Sequence, residues 1–463
     1  MPLHGRIARS LLFCCAAGIG PILVQSSARA RENPPPEPAS TTPAPDAAKE
    51  SPALQSLIPT LPDYSGDWKT RKFLTGDWGG SRTGLAEKGI LFDLSTTHYL
   101  QGNTHGGVDT NNAARYSGRW DLRLKFDTAR MGLWPAGLLE LHAESFWGDP
   151  VNDEVGGTSN NDALFPLAGD RDVMLTQFSY TQALSEHFGF VFGKLDITGG
   201  DRNEFAWMNG DNFLHSALGW NPVSARTIPY APLGAGIFVT GDWGIWTLSV
   251  LDTEGTPKES GFDTVFHGGT SVATEVRFNV KPFGLPGHQL AGATWSDKNF
   301  ISLEQDPRLG IAVPGHPLLR LALIDLSLER ESSSWSFYYN FDQYVYVEPQ
   351  DETQGVGLFG RFGISDGQAN PIETFYSFGV GGKGIIPERD NDKFGLGYFY
   401  INYAGGLPER LGISSSQGVE AFYRIEVTPW FHLTPDLQVI VDPGGRDDRD
   451  VAIVYGLRAE MSF

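Results

Sequence analysis

From about Gly66 to Phe463 the chain runs in segments of roughly ten residues, in which apolar side chains alternate with polar or small ones and Gly, Asn, Asp or Pro interrupts the pattern. A period of two places successive side chains on opposite faces of a strand. At the C-terminus Val451, Ile453, Tyr455, Leu457, Ala459, Met461 and Phe463 share one face, against Ala452, Val454, Gly456, Arg458, Glu460 and Ser462. Trp120, Leu122, Leu124 and Phe126 oppose Arg119, Asp121, Arg123, Lys125 and Asp127 in the same way. Val419, Ala421, Tyr423, Ile425 and Val427 oppose Glu420, Phe422, Arg424 and Glu426. Alternation alone fits a soluble sandwich as well as a barrel.

Length, repetition and the aromatic segment ends favour the barrel. Trp134, Phe146 with Trp147, Trp243, Trp246, Trp335 with Tyr338 and Tyr339, and Tyr398 to Tyr400 stand where the two interfacial girdles of a membrane barrel would lie. After residue 30 no stretch reaches the roughly 18 consecutive apolar residues of a membrane helix, so a membrane-spanning form must be a closed barrel. Further segments lie near 88–101, 137–147, 173–182, 187–195, 235–242, 244–252, 271–281, 288–297, 320–330, 334–346, 355–364, 372–382, 393–402 and 433–442. With the three above they make seventeen, whereas bacterial barrels favour even numbers, so one is spurious or lacks its mate. The expected fold is an all-β transmembrane antiparallel barrel of about 16 strands over residues 66–463.

The N-terminus reads as an export signal, residues 1–30: Arg6 and Arg9, an apolar run from Leu11 to Val24, then Ala28-Arg29-Ala30. Cleavage before Arg31 removes both cysteines, Cys14 and Cys15, and takes the formal charge from −20 to −23 by removing three Arg and no acid. Bulky Phe13 before Cys14 argues against a lipoprotein signal. Residues 31–65 form a Pro-rich periplasmic tether with nine Pro between Arg31 and Pro62, long enough at about 3.1 Å per residue to reach a cell-wall layer. With 55 acids against 35 Lys and Arg, the bulk charge offers no phosphate-neutralising face, and nucleic acid is excluded as an expected partner.

The run from Thr75 to Ile90, containing Gly76-Asp77-Trp78-Gly79-Gly80, Arg82 and Leu85-Ala86-Glu87-Lys88-Gly89, resembles the opening signature of the carbohydrate-selective porins of the OprB family. Gly193-Lys194-Leu195-Asp196 with Asp201 to Ala206, Phe213 and Leu214 is similar to the same family, as are Pro435 to Gln438, Asp442 to Gly445 and Gly456 to Phe463. The resemblance implies a sixteen-stranded monomeric barrel in the outer membrane of a Gram-negative bacterium, bathed in lipid and lipopolysaccharide. It implies passive diffusion of small neutral sugars such as glucose, with no cofactor. Phe463 matches the end signal read by the barrel assembly machinery. The long tether departs from the short mature N-terminus of simple members.

If the apolar faces meet lipid, strand parity points Arg119, Arg123, Glu140, His142, Glu144, Arg277, Arg361, Glu420, Arg424 and Glu426 into the lumen. There they could contact sugar hydroxyls or simply brace the wall as ion pairs. His142, between Glu140 and Glu144, reads as a wall residue rather than a metal ligand, because no second His lies at ligand spacing. Residues 196–234 are long for a connection and carry Asp201, Arg202, Glu204, Trp207, Phe213, Trp220 and Tyr230. They read as a selectivity loop folded into the barrel, or as a cap over its mouth. Trp78 to Leu85, with Asp77 and Arg82, reads as a turn and short helix of structural role at the periplasmic mouth.

Enzyme signatures fail their context. Gly355 to Gly360 and Gly379 to Gly384 both fit G-x-G-x-x-G, yet each lies inside a period-two segment and opens no helix, so they read as small, tightly packed strand positions. No nucleophile elbow, H-E-x-x-H or paired cysteine ligand set occurs. The alternatives to a sugar channel are a general non-selective porin, an outer-membrane barrel enzyme, and a soluble periplasmic polysaccharide-binding β protein, whose outer faces should be polar.

Overall fold

The computed structural model describes residues 59–111, 114–157, 172–197, 201–208, 211–304, 329–407 and 409–463. The expected signal peptide and nearly all of the tether lie outside the described residues. The strands are β1 (Ile90–His105), β2 (Ala114–Asp127), β3 (Gly137–Gly148), β4 (Met174–Ala183), β5 (Phe188–Lys194), β6 (Leu233–Gly241), β7 (Gly244–Asp252), β8 (Thr270–Val280), β9 (Gly287–Ser296), β10 (Phe300–Ile301), β11 (Arg330–Glu331), β12 (Ser334–Glu348), β13 (Asp351–Ser365), β14 (Ile372–Lys383), β15 (Lys393–Tyr403), β16 (Ser415–Thr428), β17 (Phe431–Val441) and β18 (Ala452–Ser462).

Sixteen of them form one closed antiparallel barrel in the order β1-β18-β17-β16-β15-β14-β13-β12-β9-β8-β7-β6-β5-β4-β3-β2. Closure pairs the two ends of the chain, with Ser95 opposite Ser462 and Leu100 opposite Leu457. The surplus sequence segment is 320–330. Most of it lies outside the described residues, and its end, Arg330–Glu331, pairs with Phe300–Ile301 as a separate two-stranded ribbon rather than entering the barrel.

Connections alternate between the two rims. Segments 184–187, 242–243, 281–286, 349–350 and 429–430 close one end, while β3 and β4, β5 and β6, β7 and β8, and β9 and β12 are joined from the other by longer stretches of sequence. Short turns mark the periplasmic rim and long loops the external one. Gly244 illustrates the tight side: its φ is +135°, and a Cβ there would run into the backbone of Arg277 on the neighbouring strand. No helix among the described residues is long and apolar enough to cross a membrane.

Parity sorts the side chains as the sequence predicts. Leu100, Phe178, Phe337, Phe378, Leu396, Leu437, Tyr455 and Leu457 face outward and exposed, whereas Arg361, Glu420, Thr434 and Arg458 face inward and buried. An apolar outer band satisfies lipid, and closure pairs each wall strand with a neighbour on both sides, so no strand edge is left open. The girdle expectation needs one correction. Trp134, Trp243, Trp335 and Tyr339 are outward and exposed, but Phe146, Tyr338 and Phe399 are buried on the inner face. They are inside because the lumen is filled there by a folded loop.

At the periplasmic rim the N-terminal segment forms a collar. Its helix, Ser81–Glu87, falls where the sequence suggested. Arg82 is buried with its guanidinium 4.2 Å from the Tyr64 ring, 4.4 Å from Phe73, 5.3 Å from Trp78 and 5.7 Å from Phe92. It also donates from Nη2 to the Phe92 carbonyl at 2.7 Å. Asp77 accepts from Thr83 N–H and hydroxyl at 2.8 and 2.7 Å, which ties the turn to the start of the helix. The Leu74 N–H caps the Ser462 carbonyl and the Phe463 N–H meets the Leu94 carbonyl, both at 2.8 Å, so the collar covers the seam where the barrel closes. Tyr64, at the end of the expected tether, already belongs to this packing.

Candidate functional site: a loop folded into the lumen

The segment between β5 and β6 enters the barrel. Glycines on the inner face of three neighbouring strands make room for it. A Cβ at Gly381 would stand 2.7 Å from Phe205, one at Gly395 2.7 Å from Phe213, and one at Gly397 2.9 Å from Leu218. Gly357 faces Phe205 in the same way. Gly357 and Gly381 belong to the two G-x-G-x-x-G runs, whose tight packing is thus against the loop. Phe213 meets Phe422 and Phe359 at ring separations of 4.8 and 5.3 Å, and Phe205 meets Tyr344 at 4.9 Å. These rings continue into a buried apolar cluster with Leu218, Val223, Phe375 and Phe399, on the side of the wall that parity would otherwise keep polar.

Polar pins fix the loop at several points. Arg361 on β13 has no exposed side-chain surface. It donates from Nε to Asp201 Oδ2 at 2.8 Å, from Nη1 to the Leu218 carbonyl at 2.9 Å, and from Nη2 to the Ala206 carbonyl. Glu420 on β16 accepts the N–H groups of Leu214 and His215 at 2.5 and 2.8 Å. On β12, Asn340 binds Asp201 and Asn203, and Asp342 accepts from the Glu204 N–H at 3.2 Å and from His288 at 2.6 Å. Arg458 on β18 donates to the Asn212 carbonyl at 3.0 Å, and Lys393 on β15 reaches Asp211 at 2.5 Å. Across the lumen Tyr230 donates to Glu144 on β3 at 2.7 Å.

The candidates from sequence therefore divide. Asp201, Arg361 and Glu420 are buried and spent on holding the loop, and Glu144 is buried and meets the loop through one carboxylate oxygen. Arg119 is also buried and lies 3.3 Å from Asp121. Glu140 sits 3.6 Å from Lys125, and Arg424 donates to Glu460 at 3.0 Å, so these two brace the wall as ion pairs. Arg123 is half-buried on β2. Trp220 packs on the cluster of Tyr99, Phe146, Met174, Met208 and Leu214. Arg202 and Glu204 are exposed inside the barrel, with the Arg202 guanidinium 5.5 Å from the Trp207 ring and Glu204 accepting from Tyr344 at 3.1 Å. Asn340 and Asp342 were missed, although the inward parity of 334–346 already marked them.

Two loop groups carry shifted acidity. Burial against Phe399, at a ring separation of 4.3 Å, holds His215 down at about 3, so its Nδ1 stays unprotonated and accepts the Ala217 N–H at 3.2 Å. Burial pushes the Asp211 carboxyl up, but the charges of Lys393, Arg424 and Arg458 outweigh it and hold the group at about 2.

A closed sixteen-stranded barrel with an apolar outer band, short turns on one rim and a loop pinned inside defines an outer-membrane porin. The chain belongs to the family described as "Carbohydrate-selective porin, OprB family", whose profile matches residues 111–463. Porin B of Pseudomonas aeruginosa is 26% identical over 448 residues, covering 85% of this chain and 91% of that one. The putative porin QuiX of Acinetobacter baylyi is 22% identical and covers 85% and 93%. A high-pH structure of Pseudomonas putida OprB superposes with a TM-score of 0.73 at 23% identity, covering 86% of this chain and all of that chain.

Proposed function

We propose that this porin passes small neutral sugars, glucose among them, by facilitated passive diffusion. The observation that carries the reading is the face made by Arg202, Trp207 and Glu204. An arginine fork and a carboxylate match paired sugar hydroxyls, and an indole covers the apolar ring face of a pyranose. The strands that anchor this face, β12 and β13, stand about half-way round the barrel from β2 and β3, which carry Arg123, Lys125 and Glu140. Solute passing between the two sides meets hydroxyl partners on each, in exchangeable contacts weak enough for exit.

No enzymatic step enters this reading; transport needs neither nucleophile nor cofactor. The chain works as a monomer in outer-membrane lipid and lipopolysaccharide after removal of residues 1–30. Phe463 serves as the assembly signal, and the tether extends toward the cell wall. The test is liposome swelling with the purified mature protein, comparing glucose, a disaccharide and a small zwitterionic amino acid at matched osmolarity. Faster glucose entry, reduced severalfold by Arg202→Ala or Trp207→Ala, is the expected result. Equal entry of all small solutes would make it a general porin, and no entry would overturn the channel reading.

A further inference from the structure

We propose that Asp121, His142 and Glu144 form a transition-metal site, best suited to zinc, in the β2–β3 wall. His142 Nε2 lies 3.1 Å from Asp121 Oδ1 and 3.1 Å from Glu144 Oε1, and the three donor atoms all fall within 4.8 Å of one another. Tetrahedral coordination with bonds of about 2.0 Å sets ligand edges of about 3.3 Å. The two edges that His142 Nε2 makes match this value, and a cation among the three atoms would meet both carboxylates more directly than an imidazole N–H shared between them in a bifurcated bond. Strand register brings them together: Asp121 pairs directly with Glu144, and His142 lies two residues before Glu144 on the same inner face.

A second observation lies outside the triangle. The remaining polar atom of each donor is held by a different residue. Asp121 Oδ2 faces Arg119 Nε at 3.3 Å, and Glu144 Oε2 accepts from Tyr230 at 2.7 Å. His142 Nδ1 lies 3.2 Å from Asp196 Oδ2 and 3.0 Å from the Thr176 hydroxyl. Metal-bound histidines characteristically donate their other N–H to a carboxylate, and ligating carboxylates are themselves hydrogen-bonded. With its proton on Nδ1, His142 offers the Nε2 lone pair.

One nitrogen and two carboxylate oxygens suit zinc, with water in the fourth position, whereas calcium and magnesium favour oxygen alone. All three ligands are buried. Asp196 and Tyr230 come from the two ends of the lumen loop, so an ion here ties both ends to one wall. The sequence pattern lacked a second histidine; the missing donor is Asp121, supplied by the neighbouring strand. This inference does not rest on the transported solute.

The experiment is zinc titration of the EDTA-treated mature protein in detergent, with cobalt(II) as a spectroscopic probe. One equivalent of zinc per chain is expected, together with the visible bands of tetrahedral cobalt. His142→Ala should weaken binding by at least 100-fold, and Tyr230→Phe by about 10-fold through the lost outer contact. Asp121→Asn and Glu144→Gln preserve shape, and unboiled gel mobility confirms that each variant is a closed barrel. The His432→Asn control, which removes a histidine facing Glu426, should bind as the parent does. Less than one equivalent in the parent, or equal binding by folded His142→Ala, would overturn the proposal.

Discussion

Arg361 and Asp201 meet at 2.8 Å inside the barrel, one from the middle of β13 and the other from the loop that leaves β5, 160 residues away in sequence. Asp201 adopts φ +49°, a left-handed conformation uncommon outside glycine, and the guanidinium that holds it also takes the loop carbonyls of Ala206 and Leu218. This one side chain therefore fixes both the start of the loop and its buried turn.

Arg361→Ala should release the loop without opening the barrel. Removing one partner of a buried pair costs about 3–5 kcal/mol, a loss the packing of Phe205 and Phe213 and the remaining pins from Glu420, Asn340 and Arg458 must bear. Swelling rates are expected to rise for all small solutes while glucose preference falls, with unchanged heat-modifiable mobility. Retained preference at the parent rate would show that the pin is dispensable.

Glu420→Ala removes the acceptor for two buried N–H groups, those of Leu214 and His215. Leaving buried donors unpaired costs about 1–3 kcal/mol each. Hydrogen exchange over 211–220 should accelerate, while exchange in β16 itself stays slow. Uniform acceleration across the barrel would mean the residue supports the wall rather than the loop.

Acid should loosen the same region. His215 has its folded value depressed to about 3 from 6.5 by burial, so the unfolded loop binds protons more readily, and stability present above pH 6.5 is lost as pH falls toward 3. At pH 5 the loss is about 2 kcal/mol. Asp211, held at about 2 against 3.8, adds a second loss only between pH 3.8 and 2. Exchange of the loop amides measured from pH 7 to pH 4, corrected for intrinsic rates, should show the first effect, and His215→Gln should abolish most of it.

Arg82→Ala should free the collar. The guanidinium stacks among four rings, and each such contact is worth about 0.5–2 kcal/mol when desolvated. Trypsin is expected to cut at Arg71 and Lys72 in the variant and spare the strands. Arg82→Lys should rescue poorly, since a point ammonium cannot fill a planar slot. Full protection in Arg82→Ala would overturn the cage as the holding element.

The wall was legible in the chain because a period of two is local. Trp120, Leu122 and Leu124 against Arg119, Asp121 and Arg123 fix which side chains share a face without reference to any distant residue. The short helix after Gly80 was legible for the same reason. Alternation over a few residues does not state whether a neighbour exists to pair with them, so segment 320–330 counted as a seventeenth candidate although the barrel closes without it.

Sequence alone also marked 196–234 as a loop rich in aromatic and charged groups, and it determined that Arg361 and Glu420 face inward. Whether they meet solute or protein was decided only by tertiary structure. The loop returns across the lumen onto glycines of β13, β14 and β15, and buried donors and acceptors must be satisfied by whatever chain lies opposite. That pairing joins residues more than a hundred positions apart, a distance over which no periodicity carries information. Arg202 and Glu204 were left exposed by the same packing that buried Asp201 and Asn203 beside them, because only the folded loop decides which of two adjacent side chains faces the wall.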